Sequence, residues 1–263
     1  MIQEALISSG IEPREARLLL AAAAGFSEAS VMAHPERGLP LETQKQFFEN
    51  LERRKNGEPV AYILGRKEFY GLELAVNPAV LIPRPETELL VDLALERRPP
   101  TVLDLGTGSG AIALAIKKHL RAARVTAAEV SAAALAVARR NAVKHNLEVE
   151  FRHGPWFQPV AGERFDLIAC NPPYVAAGDP HLAALRFEPG SALVSGADGL
   201  DAIREIAPQA PGHLAPGGWV LLEHGQGQAE AVRAALAAAG LESVTTWPDL
   251  AGIARVSGGK LEF

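Results

Sequence analysis

The sequence predicts an α/β protein built on a mostly parallel, seven-stranded sheet, with a small helical domain in front of it. Three observations carry this. From Thr101 onward, short apolar runs alternate with helical patterns, the rhythm of a parallel sheet covered by helices on both faces. A glycine-rich turn, "LDLGTGSGA", leaves the first of these runs and opens the first helix, as ligand-binding turns of such sheets do. Residues 1–58, at the front of the chain, carry helix starts and stops but no strand pattern.

Residues 1–58 read as the helical domain. "PREARLLLAAAAG" begins on Pro13 and stops at Gly25, a start and stop pair. "LETQKQFFENLERRKNG" places Leu41, Phe47, Phe48 and Leu51 for one apolar face and ends at Gly57. Its Arg53, Arg54 and Lys55 suit a solvated helix end. Residues 59–84 turn β-branched and aromatic, alternate in "LELAV" and carry Gly and Pro breaks. They read as a β-hairpin linker between two domains, with Phe69 and Tyr70 as its core aromatics.

Residues 85–263 form the second domain. Pro85, Glu86 and Glu88 start a helix over 85–96. "TVLDLG", "RVTAAEV", "VEFRH", "RFDLIAC" and "GWVLLEHG" are strands one to five. Helices fall in "AIALAIKKHL", in "SAAALAVARRNAVKHN" with Ser131 as N-cap, in "LDAIREIAPQAPGHL" and in "QAEAVRAALAAAG". The tail "LESVTTWPDLAGIARVSGG" supplies two more strands in a hairpin.

Composition bounds the function. The chain has 263 residues, 48% apolar and 22% charged, which fits a soluble globular protein. Its net charge of −5, with no basic module, gives no long-range attraction for nucleic acid. A single cysteine excludes an internal disulfide and a cysteine-rich zinc site. The seven histidines show no ligand spacing, and no metal is expected. The apolar run "LLLAAAAGF" is too short to cross a bilayer, and no secretory signal is visible. A cytoplasmic monomer is the expectation.

In the glycine turn, Gly106, Gly108 and Gly110 allow a sharp backbone bend and a close ligand approach. Glu129, 25 positions beyond Asp104, ends the second strand, where a carboxylate can take both hydroxyls of a ribose. Turn and acid together indicate an adenosine cofactor, either NAD or S-adenosyl-L-methionine. Asp104 tilts the choice. A carboxylate near a diphosphate would be repelled, whereas beside a sulfonium and an α-ammonium it is favoured. It can anchor the loop amides or accept from the cofactor's amino-acid end.

The fourth strand ends in "CNPPY", Cys170 to Tyr174. Pro172 and Pro173 fix φ and remove two N–H donors. The Asn171 amide oxygen and the Pro172 carbonyl can then face one point and hold both hydrogens of an –NH2 group, while Tyr174 lies against a flat substrate. An amide nitrogen is a weak nucleophile because its lone pair is delocalised. Holding its hydrogens out of plane frees that pair for an activated methyl, so alignment replaces a strong base. The exocyclic amine of adenine is planar too, so an adenine N6-methyltransferase acting on nucleic acid is the alternative. Cys170 reads as core, and His224, after "LLE", as a turn residue or a wall of the cleft.

In "PVAYILGRKEFYG", "VLIPRPETELLV", "VLDLGTGSGAIALA", "NPPYV", "EPGSALVSGADGL" and "LLEHGQGQ", in order from residue 59 to 228, the chain resembles the release factor glutamine N5-methyltransferase family. The resemblance implies a class I, Rossmann-like methyltransferase fold behind an N-terminal domain that helps recognise the release factor. It implies methyl transfer from S-adenosyl-L-methionine to the glutamine of the GGQ loop of peptide-chain release factors. By the same resemblance Gly106, Thr107, Gly108, Ser109 and Gly110 wrap the cofactor, with Asp104 beside them. Glu129, where the family usually has Asp, binds the ribose, and Trp156 lies by the adenine. Pro155 stands where an acid is common, and Ile253 where a basic residue is common. Pro85, Glu86 and Thr87 line the methionine end. Asn171 meets cofactor and substrate alike, and Pro172, Pro173 and Tyr174 complete the substrate pocket.

Overall fold

Five helices make the first of two units into which the chain divides, Met1–Arg66 and the remainder from Lys67. The computed structural model describes residues 1–262. The helices are α1 (Ile2–Ile7), α2 (Pro13–Ala24), α3 (Glu28–Ala33), α4 (Leu41–Lys55) and α5 (Val60–Leu64). Pro13 takes the first helical position of α2, the Glu12 carboxylate accepts the Glu15 amide, and Gly25 at φ 67° ends the helix. Leu19, Leu20, Phe47 and Leu51 bury together with Ile2 and Val31 as this unit's own core. The basic end of α4 is ion-paired as well as solvated: Arg53 meets Glu58 and Arg54 meets Glu15 at 2.7 Å.

The expected linker differs at its start. Val60–Leu64 is helix α5, between Pro59 at its N-cap and Gly65 at φ 68°. The hairpin is shorter, β1 (Arg66–Phe69) and β2 (Leu72–Ala75). Tyr70 and Gly71 connect them at φ 50° and 69°, a two-residue turn whose twist matches that of the strands. Phe69 is buried in the core of the second unit, as expected of a core aromatic.

The rest of the second unit is the sheet. Its strands are β3 (Thr101–Leu105), β4 (Arg124–Glu129), β5 (Glu150–His153), β6 (Phe165–Cys170), β7 (Leu214–Glu223), β8 (Glu242–Pro248) and β9 (Ala254–Lys260). They lie in the order β5-β4-β3-β6-β7-β9-β8. The first five run parallel, and β9 is antiparallel to both β7 and β8. Helices α6 (Glu88–Arg97), α7 (Ala111–His119), α8 (Ala132–His145), α9 (Asp201–Ile206), α10 (Ala210–His213) and α11 (Ala229–Ala238) complete the unit. A 3-10 turn over Pro85–Thr87 precedes α6.

Strand periodicity splits the core in two. Val102 joins Leu90, Val91, Leu114 and Ile116 on one face, while Leu103 and Leu105 join Ile168, Ile203 and Leu236 on the other. Each such side chain removed from water contributes about 1.5–3 kcal/mol. The chain leaves β3 toward β4 and β5 on one side, then returns to β6 on the other. This reversal opens a crevice at the carboxyl ends of β3, β4 and β6. Among the described residues, no helix is long and apolar enough to cross a membrane.

Candidate active site

At the end of β3 the chain bends through Gly106, Gly108 and Gly110, all at positive φ (69°, 54° and 86°). The Gly106 and Thr107 amides both donate to the Ala128 carbonyl, at 2.9 and 3.1 Å. Asp104 secures the bend from below. It is fully buried, and its Oδ2 accepts the Thr107 hydroxyl at 2.6 Å and the Ala113 amide at 3.1 Å. The second bond caps the first turn of α7 with a carboxylate from a neighbouring strand. Burial pushes the Asp104 pKa up to about 7 against these two bonds, and its Oδ1 has no partner. Of the two roles open to Asp104 in the sequence, the geometry favours anchoring the loop.

Glu129 at the tip of β4 faces the bend. Its Oε2 accepts the Gly108 amide and its Oε1 the Ser131 amide, both at 2.9 Å. Gly106, Gly108, Glu129, Trp156, Asn171 and Pro172 share the wall of a cavity of about 350 Å³. Trp156 holds φ at 41°, a strained region for a bulky residue that marks functional sites. Pro155 lines the cavity beside it. A glycine-lined wall, a carboxylate at the rim and a flat indole suit an adenosine group.

Asn171 follows β6 directly. Its Nδ2 donates to the Thr87 hydroxyl oxygen at 3.1 Å, and its buried Oδ1 has no partner. It also lines two smaller cavities. One, of about 180 Å³, includes Tyr174, Arg84 and Leu185. The other, of about 50 Å³, includes Thr87, Thr107, Ser109 and Arg84. The asparagine thus stands where a nucleoside-sized cavity meets a smaller one walled by a phenol. Pro85 and Glu86 are exposed and line none of the three, so of that trio only Thr87 reaches the site.

The motifs around "NPPY" act on its backbone. Val175 pairs with the segment at 193–195, donating to the Leu193 carbonyl and accepting from Ser195. Gln228 Nε2 donates to the Tyr174 carbonyl at 3.0 Å, while its Oε1 accepts the Gly225 amide at 2.8 Å. Glu188, buried, accepts the Ile82 amide and the Arg84 guanidinium. This ties "VLIPRP" to "EPGSAL" and gives Arg84 its place. His224 is fully buried, bonded through Nε2 to the Ser257 hydroxyl at 2.9 Å, and serves the turn rather than the cleft. Cys170 is core, its thiol donating to the Leu105 carbonyl.

Glu188 and Gly199 lie within "EPGSALVSGADGL" and Glu223 and Gln228 within "LLEHGQGQ", where no local signal marks their contacts. Gly199 sits at φ 81°, and a Cβ there would overlap the Tyr174 carbonyl oxygen. Gly199→Ala is therefore expected to cost at least about 2 kcal/mol and to lower turnover with it. Thermal unfolding and initial rates check this.

Comparison with known proteins follows the same division. Residues 2–65 match the PrmC N-terminal domain and residues 85–187 the methyltransferase small domain. A release factor glutamine methyltransferase of Xylella fastidiosa is 50% identical over 257 residues, covering 95% of this chain and 94% of the relative. One from Bordetella pertussis is 47% identical over 268 residues, covering 99% of each. The chain belongs to the release factor glutamine methyltransferase family. Among solved structures, a methyltransferase from Pyrococcus furiosus superposes with a TM-score of 0.60 at 22% identity, covering 82% of this chain and 99% of that one. That likeness bears on the fold alone. Membership and fold together make the protein a class I methyltransferase, with a Rossmann-like sheet that follows the family's N-terminal domain in the chain.

Proposed function

We propose that the protein transfers the methyl group of S-adenosyl-L-methionine to the side-chain amide nitrogen (N5) of the glutamine in the GGQ motif of peptide-chain release factors. The observation that carries this reading is the free Oδ1 of Asn171 at the junction of a nucleoside-sized cavity and a smaller one. The donor fits the larger cavity. Glu129 would take its ribose hydroxyls, Trp156 would cover its adenine, and the backbone of Gly106 to Gly110 leaves room for its amino-acid end. When bound, it supplies a methyl group activated by a positive sulfur.

The chain's own part is positioning. Asn171 Oδ1 and the Pro172 carbonyl would accept the two hydrogens of the glutamine –NH2 and withdraw its lone pair from conjugation. Tyr174 and Arg84 would wall the acceptor side. Alignment of the reacting atoms at about 3–3.5 Å then supplies most of the rate enhancement. An N-methylated amide cation sheds its proton readily, so no strong base is required. Adenine methylation on nucleic acid is not favoured, because the net charge of −5 gives no pull on a polyanion. With a translation factor as substrate, the enzyme would work in the cytoplasm.

Mass spectrometry of a release factor incubated with the protein and methyl-labelled donor tests the reading. One label on the GGQ glutamine is expected; label elsewhere, or on nucleic acid only, overturns it. Residues 1–66 hold their own core, and in this reading they recognise the protein substrate. Their removal is expected to reduce methylation of an intact release factor at least about tenfold more than that of a short GGQ peptide. Equal losses in kcat/KM on both substrates would make the unit a stabiliser only.

A further inference from the structure

Glu223 is the last residue of β7, one position beyond Leu222, which lies opposite Cys170. This register sets its carboxylate beside the turn that carries Asn171. The residue is fully buried, and neither of its oxygens has a hydrogen-bond partner. Burying a carboxylate in this way costs stability, and folds retain such costs at functional positions. Glu223 lines none of the three cavities described above, so it does not touch a substrate itself.

Two hydroxyls, those of Thr87 and Tyr174, bear on Glu223 and favour its ionised form without closing to hydrogen-bond geometry. Arg255 also favours that form, and Glu86 opposes it. Burial dominates and pushes the Glu223 pKa up to about 7. Tyr174, with its own pKa pushed up to about 12 chiefly by burial, keeps its phenolic hydrogen as a donor. Thr87 in turn is the group that meets the Asn171 amide.

A hydroxyl has a single hydrogen to give. When Thr87 gives it to Glu223, its oxygen can meet Asn171 only as an acceptor. The –NH2 end of the Asn171 carboxamide must then face Thr87, which leaves Oδ1 for the cavity. When Thr87 gives its hydrogen to Asn171 instead, the amide turns over and presents two donors to a substrate that also presents two donors. The two arrangements have nearly the same shape, so an acceptor on the far side of Thr87 is what decides between them.

We infer that Glu223 is a positioning residue: through the Thr87 hydroxyl it fixes which end of the Asn171 carboxamide faces the acceptor nitrogen, and through the Tyr174 phenol it steadies the wall of the substrate cavity. The kinetic consequence rests on the proposed methylation of an amide; the orientation of Asn171 does not.

Glu223→Gln tests this, because it keeps the shape but leaves one acceptor oxygen for the two hydroxyls of Thr87 and Tyr174 and sets an –NH2 donor against the other. On a GGQ peptide, kcat is expected to fall roughly 10–100-fold, while donor affinity and peptide KM change less than about threefold. The melting temperature should stay level or rise, since a buried charge has been removed. Thr87→Val should reproduce the loss, and Thr87→Ser should recover most of it. Unchanged kcat in Glu223→Gln, or a loss matched by a lower melting temperature, overturns the inference. Should Glu223→Gln fail to fold, equal rates for Thr87→Val and Thr87→Ser overturn it too. A side-chain NMR readout works without substrate. Contacts from the Asn171 Nδ2 hydrogens to the Thr87 methyl are expected in the wild type and should weaken in Glu223→Leu, which offers Thr87 no acceptor. Their persistence in that variant overturns the inference even if the wild type proves inactive on glutamine, an outcome that would by itself overturn only the substrate reading.

Discussion

Asn171→Ala is expected to lower turnover by roughly 10²–10³-fold, the loss seen when one preorganised polar contact to the reacting group is removed. Donor binding should fall much less. The side chain spends its Nδ2 on Thr87 and leaves Oδ1 free in a buried position. Truncation therefore removes the acceptor that turns the substrate amide, while the glycine bend, Glu129 and Trp156 stay in place. Single-turnover rates with calorimetry of donor binding separate the two effects. Unchanged turnover would refute the paired-acceptor scheme.

Glu129→Ala should weaken donor binding by about 1.5–3 kcal/mol, the usual worth of hydrogen bonds to a charged group, or roughly 10–150-fold in Kd. Two losses combine here. The ribose acceptor disappears, and the Gly108 and Ser131 amides, each 2.9 Å from the carboxylate, lose the partner that joins them. Glu129→Asp keeps the charge but falls one methylene short of at least one amide, so it should lie between Ala and the wild type. Calorimetry showing no loss for Glu129→Ala would remove Glu129 from the site.

Much of this architecture is legible in the sequence because its signals are local. The apolar runs at 102–105 and 165–170 are buried strands, Ser131 caps α8 through the Ala134 amide, and Gly25 closes α2. Segment 60–64 is the instructive exception. "VAYIL" has strand-like composition, yet Pro59 and Gly65 bracket it as a helical turn, and bracketing outweighed intrinsic preference. The site divides along the same line. The glycine bend and "NPPY" are read directly, because few other residues permit those backbones. Asp104 allows two roles on paper, and only its bonds to the Thr107 hydroxyl and the Ala113 amide distinguish them. Glu223 looks like an ordinary strand end. Nothing near it in the chain announces that Thr87 and Tyr174, both distant in sequence, will surround it.

The grip of Gln228 on Tyr174 joins positions 54 residues apart. The nucleoside-sized cavity is no more local, because Asn171 and Pro172 share its wall with Gly106 and Trp156. Contacts that close long loops form late and slowly. Both sides of the crevice therefore wait on β6, because Asn171 follows that strand and lines a cavity on each side.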